Sequence, residues 1–143
     1  MTTMLLYNCN KEKELKKEVI KMLLLEKNVK LIIMNQDNDG KDLSNLNKKI
    51  VDLLTKSFGG TTVSSTYGTW SDNKQTYQDP NKTVQCNYHH LSEQNMKDLF
   101  HAVQLEFNEG KQEAVSLLVN DKLAIIEKTD TQQDVFNFIS IFK

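Results

Sequence analysis

The sequence predicts an α+β domain: a ferredoxin-like split βαβ core, β-α-β-β-α-β, with extra N- and C-terminal helices. Three observations carry this expectation. At Phe58-Gly59-Gly60-Thr61-Thr62 a helical pattern stops at a double glycine, and a β-branched run follows that ends in the only tryptophan, Trp70. Apolar residues recur at helical spacing before that joint, from Leu43 to Leu54, and again after it, from Met96 to Phe107. Between and around these two helices lie runs with strand character: Val29–Met34, Thr61–Trp70, Lys82–His89 and Glu113–Val119.

Taken in order, residues 1–9 read as a short strand or loose arm. Asn10 is placed to cap a helix over Lys11–Lys27, where Leu15, Val19, Met22, Leu23 and Glu26 have helical spacing. Ile20, Leu24 and Leu25 widen that stripe, which suits a helix touched on two sides. Asp37-Asn38-Asp39-Gly40 is a loop, and Leu43, Leu46, Ile50, Leu53 and Leu54 mark one face of the next helix. Gly59 or Gly60 can take the left-handed conformation that closes it. Ser71-Asp72-Asn73-Lys74 is a turn, the hairpin's second arm resumes near Thr76, and Pro80 is expected to interrupt it. Val84, Cys86 and Tyr88 share one face beyond the proline. Ser92 caps the following helix, Leu91 can staple against Met96, and Gly110 ends it. Asn120-Asp121 joins Glu113–Val119 to Lys122–Glu127 as a tight hairpin. A final helix carrying Phe136 and Ile139 starts from Asp130 or Thr131. The expected organisation is residues 1–28 as arm and helix, 29–127 as the ferredoxin-like core and 128–143 as a C-terminal helix, all one domain. Right-handed crossovers put both core helices on one sheet face. The other face must be polar, covered, or paired with a second subunit.

The chain has 143 residues, 38% hydrophobic and 26% charged, with a formal net charge of −1. That balance gives no long-range attraction to polyanions, so nucleic acid is not expected as a partner. All 18 basic residues are lysine. This usage fits AT-rich coding, and it leaves the chain without a planar guanidinium for bidentate recognition of phosphate or guanine. Two cysteines, Cys9 and Cys86, are too few for a disulfide scaffold. With no signal-like or membrane-length apolar run, a cytoplasmic location is expected, in a host cell if the gene is phage-borne.

At Phe58-Gly59-Gly60-Thr61-Thr62, Gly68-Thr69-Trp70 and Gln112-Glu113-Ala114-Val115 the chain resembles an uncharacterised family of small bacterial and phage domains. Asp79-Pro80 departs from that pattern, which has an acidic residue followed by a variable one. The resemblance spans roughly residues 29–120. It implies a fold and brings no activity.

Each candidate for chemistry has a plainer alternative. Cys86, His89, His90 and His101 offer zinc-type ligands. Alternation along a strand turns His89 away from Cys86 and His90, so no metal is expected. Cys86 as a nucleophile beside His90 or His101 lacks any surrounding motif, and a core thiol explains it better. Asp37-Asn38-Asp39-Gly40-Lys41-Asp42 begins like a calcium loop, but Lys48 stands where a bidentate glutamate is needed. Gly59-Gly60-Thr61-Thr62 follows a helix rather than preceding one, which suits a cap and not a phosphate cradle. The Lys11–Glu18 stretch mixes signs as a solvated face does. Tyr67, Trp70 and Tyr77 near the hairpin end could stack on a base or nucleotide, the plainer alternative being simple packing of hairpin aromatics.

The function expected from the sequence is a small non-enzymatic binding protein of phage or mobile-element origin. It would bind a host protein or sequester a small, nucleotide-like ligand, as an anti-defence factor or inhibitor, with no cofactor. Its expected binding residues are Tyr67, Trp70, Tyr77, His89 and His90, and a homodimer is compatible with the open sheet face. Two alternatives stand beside it: a small enzyme using histidine acid/base chemistry, and a structural subunit of an assembly.

Overall fold

The computed structural model describes residues 25–143. The expected arm and most of the helix over 11–27 lie outside the described residues. Lys27, the expected end of that helix, instead begins strand β1 (Lys27–Met34). In β1 the buried residues alternate, with Val29, Leu31 and Ile33 pointing into the core. That period of two is what a strand with one fully covered face requires.

Helix α1 (Ser44–Phe58) follows a loop held by Asp37, whose Oδ1 accepts from the backbone N–H of Asp39 and of Lys41, both at 2.9 Å. These bonds, the one from Lys41 foremost, hold the Asp37 carboxyl below its ordinary pKa. The helix ends at Gly59, whose φ of 81° is the left-handed cap expected at the double glycine, with its N–H on the Thr55 carbonyl at 2.9 Å. Strands β2 (Thr62–Ser71) and β3 (Thr76–Tyr88) then form a long hairpin. Asp72 closes its turn by accepting from the N–H groups of Lys74 and Gln75.

Pro80 does not interrupt β3, contrary to expectation. The Pro80 carbonyl accepts from the N–H of Asn35 at 3.3 Å, so its ring nitrogen also faces the β1 side. The β1 pairing begins one residue later, at Met34 opposite Asn81. The missing donor therefore costs the β2–β3 ladder nothing.

Helix α2 (Glu93–Asn108) starts with a reciprocal capping box between Ser92 and Asn95. Strands β4 (Ala114–Val119) and β5 (Lys122–Glu127) turn at Asn120 and Asp121, which have φ values of 47° and 69°. Positive φ at both positions is the signature of the two-residue hairpin. Helix α3 (Gln132–Phe142) is capped by Thr131, boxed with Asp134.

The fold class is α+β as expected. The five strands form one antiparallel sheet in the order β2-β3-β1-β4-β5. The β-α-β-β-α-β succession runs from β1 to β4, and β5 lengthens the sheet beyond the four strands of a bare ferredoxin-like core. The inward residues Val29, Leu31, Ile33, Val84, Cys86, Leu117 and Val119 pack with Ile50, Leu54, Leu99 and Val103 of the helices, and Val135 and Ile139 of α3 join them. Among the described residues no helix covers the opposite face. Lys30, Ile32, Thr83, Gln85, Ser116 and Leu118 are half-buried there, while Leu123 and Ile125 are exposed.

Candidate functional site on the open face of the hairpin

β2 and β3 run past the helical layer. All ten residues of β2 are exposed. Cross-strand partners share a face, so Thr66, Gly68 and Trp70 of β2 lie with Asn81, Asp79 and Tyr77 of β3 on the open side. Trp70 and Tyr77 are directly opposite, and their rings stack with centroids 4.1 Å apart and planes 16° from parallel. The indole Nε1 donates to Asp79 Oδ2 at 2.7 Å, and the Tyr77 hydroxyl donates to Asp72 Oδ2 at 3.1 Å. Both rings are thereby held at their polar ends, yet Trp70 keeps 50% of its surface exposed. Behind this platform the Thr66 hydroxyl bonds to Asn81 Oδ1 and lies 3.1 Å from the Thr83 hydroxyl.

The Asp72 carboxyl is held below its ordinary pKa, chiefly by the N–H of Gln75 and next by that of Lys74. It is a carboxylate at neutral pH. The platform is thus an aromatic surface with fixed acceptors beside it.

Of the residues expected to bind, the structure brings Trp70 and Tyr77 together. Tyr67 lies on the other side of β2, three-fifths exposed at 63%. His89 and His90 are exposed just beyond the far end of β3. At about 3.3 Å per residue, Tyr77 and His89 are separated by about 40 Å along the strand. They do not belong to one site. His101 sits elsewhere again, on the outer side of α2, where it lines a cleft of about 470 Å³ with Lys48, Lys49, Lys56, Leu53 and Leu105. The three histidines therefore form no acid/base set.

Cys86 is fully buried toward the helices, and burial pushes its thiol up to about 12. It is a core residue. Among the described residues no three His, Cys, Asp or Glu side chains converge as a metal site would need. Among them, too, no helix is long and apolar enough to cross a membrane.

Sequence reading missed Glu106. It is 1% exposed, and neither carboxylate oxygen has a hydrogen-bond partner. Burial raises its pKa to about 7, against a smaller opposing effect of the Met34 backbone. Nearby, Asn47 donates to the Met34 carbonyl at 3.0 Å, and Gln112 is buried with its Nε2 on the Gly110 carbonyl. The signal was present: Glu106 stands three residues after Val103 and seven after Leu99, on the inward face.

No family model matches the sequence, and no curated protein matches it. Two solved structures are similar in chain path. One is a phage SAM lyase in complex with S-methyl-5'-thioadenosine: 16% identity, 74% of this chain and 95% of that chain covered, TM-score 0.48. The other is the phage SAM lyase in its apo state: 13% identity, 77% and 98% covered, TM-score 0.48. At that level of likeness no residue role passes to this chain. Both are structures of an enzyme, and they lend no support to the non-enzymatic binding protein expected from the sequence.

Proposed function

We propose that this chain is a small enzyme that binds a nucleoside-like molecule on the open face of the β2–β3 hairpin and turns it over there. The observation that carries the reading is the Trp70–Tyr77 stack, fixed through Nε1 by Asp79 and still half exposed. A flat heterocycle gains from lying on such a surface, by about 1–3 kcal/mol per stacked base. The hydroxyls of Thr66 and Thr83, with the buried Asn81 behind them, are donors and acceptors of the kind that hold sugar hydroxyls.

The charges around the platform narrow the ligand. Asp79 and Asp72 stand next to the rings, and the chain has no arginine. Carboxylates beside the rings oppose a phosphate and favour a neutral or cationic nucleoside. Asp79 is the group placed to receive a proton from the bound molecule or to stabilise positive charge on it.

S-methyl-5'-thioadenosine, which the similar phage enzyme binds, and SAM are the first ligands to test. Trp70 is the only tryptophan, so its fluorescence reports on this site alone. Saturable quenching by either ligand, lost in Trp70→Phe with Tyr77→Ala by calorimetry, together with conversion of one ligand followed by mass spectrometry, is the expected result. If neither ligand quenches or is consumed at millimolar concentration, the reading fails.

A further inference from the structure

We infer that a second copy of this chain pairs antiparallel with the outer edge of β2, joining the two sheets into one continuous sheet. The edge groups can be assigned. Pro80 lies opposite Tyr67, and its backbone faces β1 rather than β2. Tyr67 therefore turns its own N–H and C=O away from β3, and by alternation so do Val63, Ser65, Thr69 and Ser71.

Among the described residues no strand pairs with this edge. Its sequence, Thr-Val-Ser-Ser-Thr-Tyr-Gly-Thr-Trp-Ser, carries no charge and no proline over ten residues. Those are the devices that normally keep an edge from pairing. The opposite edge differs: β5 has six residues and is bounded by Lys122 and Glu127.

The edge is complementary to itself. Its five outward-facing residues are symmetric about Tyr67, so pairing all of them about a two-fold axis fixes a single register. Tyr67 then meets Tyr67 of the second copy, Ser65 meets Thr69, and Val63 meets Ser71. On the open face Trp70 meets Ser64, and Gly68 meets Thr66. Away from the centre Val63 and Trp70 each face a serine, no like charges face each other, and an aromatic pair sits at the centre. Among the described residues nothing buries β2, all ten of whose residues are exposed, which leaves room for the second copy. This register also sets Ser64 of the second copy beside the Trp70 platform. The pairing itself does not depend on the ligand reading.

Sedimentation equilibrium of the full chain tests it, together with hydrogen exchange of the β2 amides. The expected result is twice the chain mass at about 100 µM, with slow exchange at Val63, Ser65, Tyr67 and Thr69 that quickens on dilution. Ser65→Pro removes only an outward donor, and Tyr67→Lys sets two like charges face to face. Each should weaken the dimer at least tenfold while circular dichroism stays unchanged. A monomer at that concentration overturns the inference. A dimer that both variants leave intact does so too, since its interface lies elsewhere. Slow β2 exchange in a monomer would mean the edge is covered by the chain's own residues, again overturning it. Quenching of Trp70 by ligand in a monomer would leave the ligand reading standing alone.

Discussion

The indole N–H of Trp70 and the carboxylate of Asp79 meet at 2.7 Å across the β2–β3 hairpin, on residues two apart in register. A charged acceptor makes this bond stronger than a neutral one. Its exposed position limits what it adds to stability. Asp79→Ala should lower unfolding free energy by no more than about 1 kcal/mol. It should nevertheless free the indole and change the Trp70 emission in the folded state. Urea titration followed by both circular dichroism and fluorescence checks this. A loss of several kcal/mol would mean that the hairpin is a stability element rather than a binding surface.

Gly110 and Gly60 should respond oppositely to alanine. A Cβ on Gly110 would stand 2.6 Å from the Glu106 carbonyl oxygen and 3.1 Å from Leu46 Cδ2. The backbone oxygen cannot move without distorting the end of α2, so Gly110→Ala should cost about 1–3 kcal/mol. A Cβ on Gly60 meets nothing within 4 Å. Gly60→Ala should be neutral or stabilise by about 0.4–1 kcal/mol, by restricting the unfolded chain. Equal effects at the two sites in thermal melts would contradict the close approach of α1 and α2 at Gly110.

What the sequence made legible was chemistry that acts within a few residues. The Gly59 cap, the Ser92 and Thr131 helix starts and the Asn120-Asp121 turn each follow from local hydrogen bonding or left-handed φ. Pro80 was misread because its effect depends on which neighbour its nitrogen faces, and that is set by β1 at a distance in sequence. Within the candidate site, Trp70 and Tyr77 could be paired from the turn between them. Grouping them with His89 and His90 failed because β3 runs unbroken for thirteen residues and carries the histidines to its far end. Tyr67 fell on the other side by the alternation of β2. Glu106 was hidden by its own residue type, since a glutamate between apolar residues reads as solvent-facing until the inward face is counted.

Glu106 makes stability depend on pH in a definite direction. Its folded pKa, about 7, lies above the ordinary 4.5, so the folded state holds the proton more tightly than the unfolded one. Its contribution is full below about 4.5, declines as pH rises from there, and is lost above about 7. A shift of that size corresponds to roughly 3 kcal/mol. Asp37, Asp72 and Asp134 have lowered pKa values and act oppositely, losing their stabilisation only as pH falls below the ordinary 3.8. Glu106→Leu should therefore gain about 2–3 kcal/mol over the parent at pH 8 and clearly less at pH 5. Urea titrations of both proteins at the two pH values measure the difference. An identical gap at both would show that Glu106 is not held neutral by burial.

Cys86 should be chemically silent while the sheet is closed. Its thiol is fully buried on β3 beneath the helices and is pushed up to about 12 by that burial, so at pH 8 almost none of it is thiolate. Reaction then requires the segment to open, and its rate reports the opening equilibrium of the core. In a Cys9→Ser background, labelling with an aromatic disulfide reagent at pH 8 should run at under about 1% of the rate in 8 M urea. Leu99→Ala should speed native labelling, because Leu99 is fully buried in the same core and its truncation should cost about 2–5 kcal/mol. Tyr67→Lys, on the exposed edge of β2, should not speed it. Fast labelling of the unmodified native chain would place the thiol on an accessible surface and contradict the packing of β3 against α1 and α2.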